Sequence, residues 1–152
     1  MYPTNMTDIP PQRALMTLRI IWFTLMLSPI AFLAVIKLGA FPIREQVEPQ
    51  PLFFWIDLGM FLIIVPITYL VRYLIFRRAS VEGRIPAASF TTGNIIFWAG
   101  CEGIAFASLA LAQLNGSLWP TIVIAVGAMA LQALTFPLGK RMYDPTNAQQ
   151  KH

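Results

Sequence analysis

Between Arg84 and Lys140 the chain runs for 55 residues, 85 to 139, with one charged side chain, Glu102; between Arg19 and Lys37 it runs for 17 residues, 20 to 36, with none. An ordinary soluble domain, in which roughly a quarter of the residues are charged, has no place for such gaps; here 12% are charged and 57% are hydrophobic. Apolar runs of about 20 residues are the mark of helices that cross a bilayer. Four segments reach that length, at about 18–40, 52–74, 92–114 and 118–138. Lipid offers no partner for backbone N–H and C=O groups, and these runs lack the alternation of barrel strands, so they predict helix. The expected fold is all-α: an integral membrane four-helix bundle in one domain, 18–138, with short tails at 1–17 and 139–152.

Basic residues set the expected orientation. Arg13, Arg19, Arg72, Arg77, Arg78, Arg84, Lys140, Arg141 and Lys151 fall on one side of such a bundle, and only Lys37 and Arg44 on the other. The positive-inside rule then puts both termini and the middle loop in the cytoplasm. The net charge of +4 is accordingly a topology signal directed at lipid headgroups, not a nucleic-acid surface. Trp22, Tyr69 and Tyr73 fall toward one interface and Phe53, Phe54, Trp55 and Trp119 toward the other, where aromatic belts belong. Lys37 follows the first apolar run and no small-x-small cleavage site is evident, so 1–17 reads as a short tail and not as a signal peptide. Small size and brief loops suggest a bacterial inner membrane.

The loop at about 41–51, with Pro42, Pro49 and Pro51, reads as an extended connector. Asn115-Gly116-Ser117 is a tight turn that makes the third and fourth helices antiparallel neighbours, with Pro120 in the first turn of the fourth. An offset of 75 aligns Ile20, Ile21, Trp22 and Phe23 with Ile95, Ile96, Phe97 and Trp98. Apolar helices also produce such matches by chance, so duplication and coincidence both remain open.

Glu102 is ten residues past Thr92, about 15 Å along a helix and near the bilayer midplane. An ionisable side chain there costs about 2.5 to 3.5 kcal/mol on insertion scales, so such groups face the bundle interior, where they tie helices together or mark an ion or proton pathway. Ser28 with Pro29 on the first helix and Pro66 on the second fall at similar depths. Each proline frees the carbonyl four residues earlier, Leu25 and Leu62, and kinks its helix. The expectation is that Glu102 bonds Ser28, one of these carbonyls, or a water between them.

Ala99, Gly103 and Ala107 form a small-xxx-small ridge widened by Gly93 and Gly100. Such a ridge can meet the fourth helix, at Ala125, Gly127 and Ala128, or another subunit, and the tight turn favours the fourth helix. Gln132 reads as interhelical glue and Cys101 as a buried thiol. Asp57 reads as a helix-start carboxylate within reach of water, and Arg72, Arg77 and Arg78 as topology anchors. One cysteine and one histidine, His152, leave too few ligands for an all-protein metal centre, so no metal or other cofactor is expected. No catalytic set or phosphate loop is visible, and an enzyme is the least favoured class.

The second helix, a basic loop and a third helix carrying mid-membrane Glu102 together resemble the helical hairpin of the rotary ATPase proteolipid, the c subunit, over about residues 52–114. In that family the carboxylate carries a proton or sodium ion and many copies form a ring, which would make Glu102 an ion carrier here. Two functions are thus expected in competition: a non-enzymatic subunit or scaffold, partnered by lipid and by other membrane subunits or further copies of itself, and a proton- or sodium-carrying proteolipid-like subunit or small channel. The contacts of Glu102 discriminate between them.

Overall fold

The structure, a computed structural model, describes residues 11–39, 50–81, 83–139 and 142–143. Four helices account for most of it: α1 (Pro11–Lys37), α2 (Pro51–Ala79), α3 (Ala87–Leu114) and α4 (Thr121–Leu134). Two two-residue strands, β1 (Ile85–Pro86) and β2 (Met142–Tyr143), complete it. The described residues are helical apart from these strands and the connections, and α1, α2 and α3 are long and apolar enough to cross a membrane. Most of the 41–51 connector, Lys140, Arg141 and His152 lie outside the described residues.

Three helices outrun the apolar segments that announced them. α1 begins at Pro11, so residues 11–17 of the expected tail are helical, and α3 begins at Ala87 instead of 92. Hydropathy marks where a helix is in apolar surroundings, whereas i to i−4 hydrogen bonding continues until something stops it. Pro51 opens α2 and extended Ser80 closes it. Both helices continue through their internal prolines, Pro29 and Pro66.

α4 departs the other way. Its 14 residues span about 21 Å at 1.5 Å each, short of the roughly 30 Å hydrocarbon core, so 118–138 is not one continuous helical span. Pro120 immediately precedes it, and Pro137 disfavours helical backbone at Phe136. The last turn of α4 and the irregular stretch that follows are held by side chains of other helices. Trp98 Nε1 donates to Thr135 Oγ1 at 2.9 Å, Trp22 Nε1 to the Gln132 carbonyl at 3.0 Å, and Arg19 Nε to the Pro137 carbonyl at 3.5 Å. The Trp22 and Phe136 rings meet edge to face with centroids 4.9 Å apart. Non-helical backbone is tolerated in apolar surroundings when it is sheltered and paired by protein in this way.

α3 packs on all three other helices. It runs parallel to α1, and its contacts with α1 keep a constant register: Ser28 meets Glu102, and the Phe32 and Phe106 ring centroids lie 5.3 Å apart. Against antiparallel α2 it presents Gly93 and Gly100. A Cβ at Gly93 would lie 2.6 Å from the Phe76 ring, and one at Gly100 2.7 Å from Thr68 Cγ2. The buried core joins Leu18, Val65, Phe97, Trp98, Cys101 and Ile104 with Ala128 of α4.

The predicted ridge does not make the contact expected of it. Ala99 and Gly103 are exposed, and a Cβ at Gly103 would meet nothing within 4 Å; Ala107 is half-buried. α4 does bury Ala125 and Ala128, but against a different side of α3, where Ala125 clusters with Ala105 and Leu109. α3 turns Trp98 inward, where it finds both packing and a hydrogen-bond acceptor, and this faces Ala99 and Gly103 outward while Gly93, Ala105 and Ala112 stay buried. At the arginine-rich end the chain is also more ordered than an open loop. Val81 and Arg84 exchange two backbone hydrogen bonds of 2.9 Å, and Ile85 pairs in parallel with Met142.

Candidate functional site

Two carboxyl groups lie inside the helical segments, and each meets a serine of the adjacent helix. On α1, Ser28 follows a helical turn whose carbonyl at Leu25 has lost its usual donor to Pro29. Ser28 Oγ bonds Glu102 Oε1 of α3 and lies 3.2 Å from the Leu25 carbonyl oxygen. Pro29 is fully buried beside it. The hydroxyl therefore bridges the freed carbonyl and the carboxyl, joining two of the partners expected for Glu102. In its carboxylate form Glu102 accepts a hydrogen bond from the Ser28 hydroxyl; in its acid form it can donate to Ser28 Oγ while Ser28 donates to the Leu25 carbonyl. Pro66 is exposed on α2 and takes no part, although Thr68 against Gly100 puts it near the same level.

The second pair is Asp57 with Ser108. Asp57 is the seventh residue of α2, not a water-facing helix start, and it is wholly buried. The Ser108 hydroxyl is 2.8 Å from Asp57 Oδ1 and 2.9 Å from the Ile104 carbonyl of its own helix. Asp57 Oδ2 has no hydrogen-bond partner among the described residues. Distance from the span boundary puts Asp57 near a helix start, but α2 begins at Pro51 and the six residues to Asp57, about 1.7 turns, carry the side chain under α3. The signal available was a helical spacing: Asp57 shares a face with Phe54, Leu58 and Phe61, which pack against the core. Ser108→Ala is expected to leave this carboxyl unpaired and to lower stability by about 1 to 3 kcal/mol. An unfolding midpoint in detergent equal to that of the wild type would contradict the pairing.

Both pairs use one device, a serine hydroxyl set between a carbonyl of its own helix and a carboxyl of the next. Between apolar helices, where packing alone gives few directional contacts, such hydrogen bonds fix which faces meet. α3 supplies the acid to α1 and the serine to α2, so the two pairs fix the central helix to both neighbours.

Gln132 is fully buried, but its backbone carbonyl, not its amide, takes the interhelical bond from Trp22, and the amide has no partner among the described residues. Asn94, also buried, donates to the Phe90 carbonyl at 2.8 Å. Cys101 is a free, fully buried thiol. Among the described residues no three His, Cys, Asp or Glu side chains come together. Comparison of the chain with protein-family models, with curated proteins and with solved structures gives no match.

Proposed function

We propose that this chain is a small polytopic integral membrane protein serving as a non-enzymatic subunit or scaffold of a membrane assembly, with Glu102 holding helices together. The observation that carries this reading is the hydrogen bond between Glu102 and Ser28, which engages the only charged side chain of the third apolar run within the bundle. The outward face of α3 supports it, because exposed Ala99 and Gly103 leave room for a helix of another subunit, or of a second copy, to approach closely. The distribution of basic residues favours both termini in the cytoplasm, and the short connections suit a bacterial inner membrane.

The competing reading, a proton- or sodium-carrying subunit like the rotary ATPase proteolipid, draws on the half-buried position of Glu102, which is not sealed from its surroundings. Carriage requires Glu102 to leave Ser28 and exchange its ion with water or a partner half-channel. Carboxyl infrared difference spectroscopy in native-like membranes separates the two readings. The expected result is a band, absent in Glu102→Gln, that stays constant as sodium and near-neutral pH are varied. A band that titrates near neutrality or responds to sodium would replace the scaffold with the carrier.

A further inference from the structure

A cavity of about 380 Å³ opens at the arginine-rich end of α2, lined by Tyr69, Arg72, Tyr73 and Arg77 together with Gly83 and Ile85 of the following turn and strand. Its volume is within the range of small-ligand sites, roughly 300 to 1,000 Å³. Arg72 is seven residues before the end of α2, about 10 Å inside the helix terminus. Aromatic rings flank this guanidinium: Arg72 Cζ lies 5.2 Å from the Phe76 centroid and 5.4 Å from that of Phe97. These rings are fixed in turn, since Phe76 stacks on Phe90 at 5.5 Å and Tyr69 meets Phe97 edge to face at 5.9 Å. The result is a cation flanked by packed rings at one wall of the cavity, with exposed Arg77 and two exposed tyrosines around it.

From this arrangement we propose that the cavity binds a phosphate group, presented by an anionic phospholipid of the adjoining leaflet. Guanidinium forks match phosphate oxygens in pairs, and tyrosine hydroxyls donate to the same acceptors. Leu70 and Leu74, neighbours in sequence of Tyr69 and Tyr73, are exposed on α2 and offer apolar surface for the acyl chains of the same lipid. Basic pockets at this level of a helical bundle suit anionic headgroups. The inference goes beyond the scaffold reading and rests on it only in placing the chain in a bilayer.

The test uses the full chain purified in micelles containing equal phosphatidylcholine and phosphatidylglycerol, with retained lipid counted by native mass spectrometry. The wild type is expected to retain phosphatidylglycerol preferentially. Arg72→Gln with Arg77→Gln should reduce that preference by about fivefold per arginine, whereas Arg13→Gln with Arg78→Gln, an equal loss of charge outside the cavity, should preserve it. Tyr69→Phe with Tyr73→Phe keeps the rings and is expected to weaken the preference, which guards against a folding defect in the arginine variant. Inorganic phosphate added to the same micelles distinguishes the source: failure to displace the lipid supports a headgroup, and displacement sensitive to the Arg72 and Arg77 substitutions supports a phosphate site serving a soluble ion. No preference in the wild type, or equal losses in the cavity variants and the charge control, would overturn the proposal. Alkaline extraction of native membranes reports separately on residence in the bilayer, so failure of the pocket and failure of the membrane reading give different results.

Discussion

Trp98→Ala is expected to be the most damaging single truncation in the molecule, lowering stability by about 3 to 5 kcal/mol. Trp98 is completely buried at the junction of α2, α3 and α4 and belongs to the main core cluster. Its removal opens a void that the surrounding helices fill only in part. It also removes the donor that binds Thr135 Oγ1 at 2.9 Å, just where α4 gives way to irregular chain. Trp98→Phe separates the two effects, because it keeps most of the packing and deletes the hydrogen bond, at an expected cost of about 0.5 to 1.5 kcal/mol for the bond. Denaturation of the micelle-embedded chain with sodium dodecyl sulfate, followed by circular dichroism, gives both values. Trp119→Ala is the control, since Trp119 is 70% exposed. Equal losses for Trp98 and Trp119 would show that the core is not organised around Trp98.

Gly100→Leu is the second large effect, and its contrast with Gly103→Leu is as informative as its size. A Cβ at position 100 meets the Thr68 side chain at 2.7 Å, and Thr68 cannot easily rotate because it is β-branched and its hydroxyl is 2.9 Å from the Ile64 carbonyl. The rest of a leucine side chain must force α2 and α3 apart, for about 1 to 3 kcal/mol or more. At position 103 the Cβ meets nothing, so the isolated chain is expected to tolerate leucine. If the outward face of α3 is an assembly surface, Gly103→Leu should instead abolish association, read as loss of a cross-linked or co-purified species, while the unfolding midpoint is unchanged. Loss of stability at 103 equal to that at 100 would mean that the helix is rotated from the orientation described.

The Ser28–Glu102 pair was legible from residue counting alone, because α1 and α3 start at the same end of the bundle and depth along a helix rises by 1.5 Å per residue. Counting gives depth well and facing badly. Ala99, Gly103 and Ala107 are correctly a row of small residues, yet which neighbour a row meets depends on every other side chain of α3. Asp57 departs from its expected water-facing position for a related reason: an error of one turn in depth matters little, but 100° per residue of rotation carries a carboxyl from solvent to core.

Hydropathy was enough to give a helical chain with segments long and apolar enough to cross a membrane, since in apolar surroundings the backbone must satisfy its own hydrogen bonds and only a few structures do so. It also determined that Glu102 would need a partner. Tertiary structure alone decided that α4 stops after 14 residues. An interrupted helix is stable there because Trp22, Trp98 and Arg19, distant in sequence, supply donors to its end and to the chain beyond. Tertiary packing likewise decided which side of α3 is buried and gathered Tyr69, Arg72, Tyr73 and Arg77 around one cavity. Those outcomes are set by the mutual fit of side chains from separate helices, a quantity that no single segment of the sequence contains.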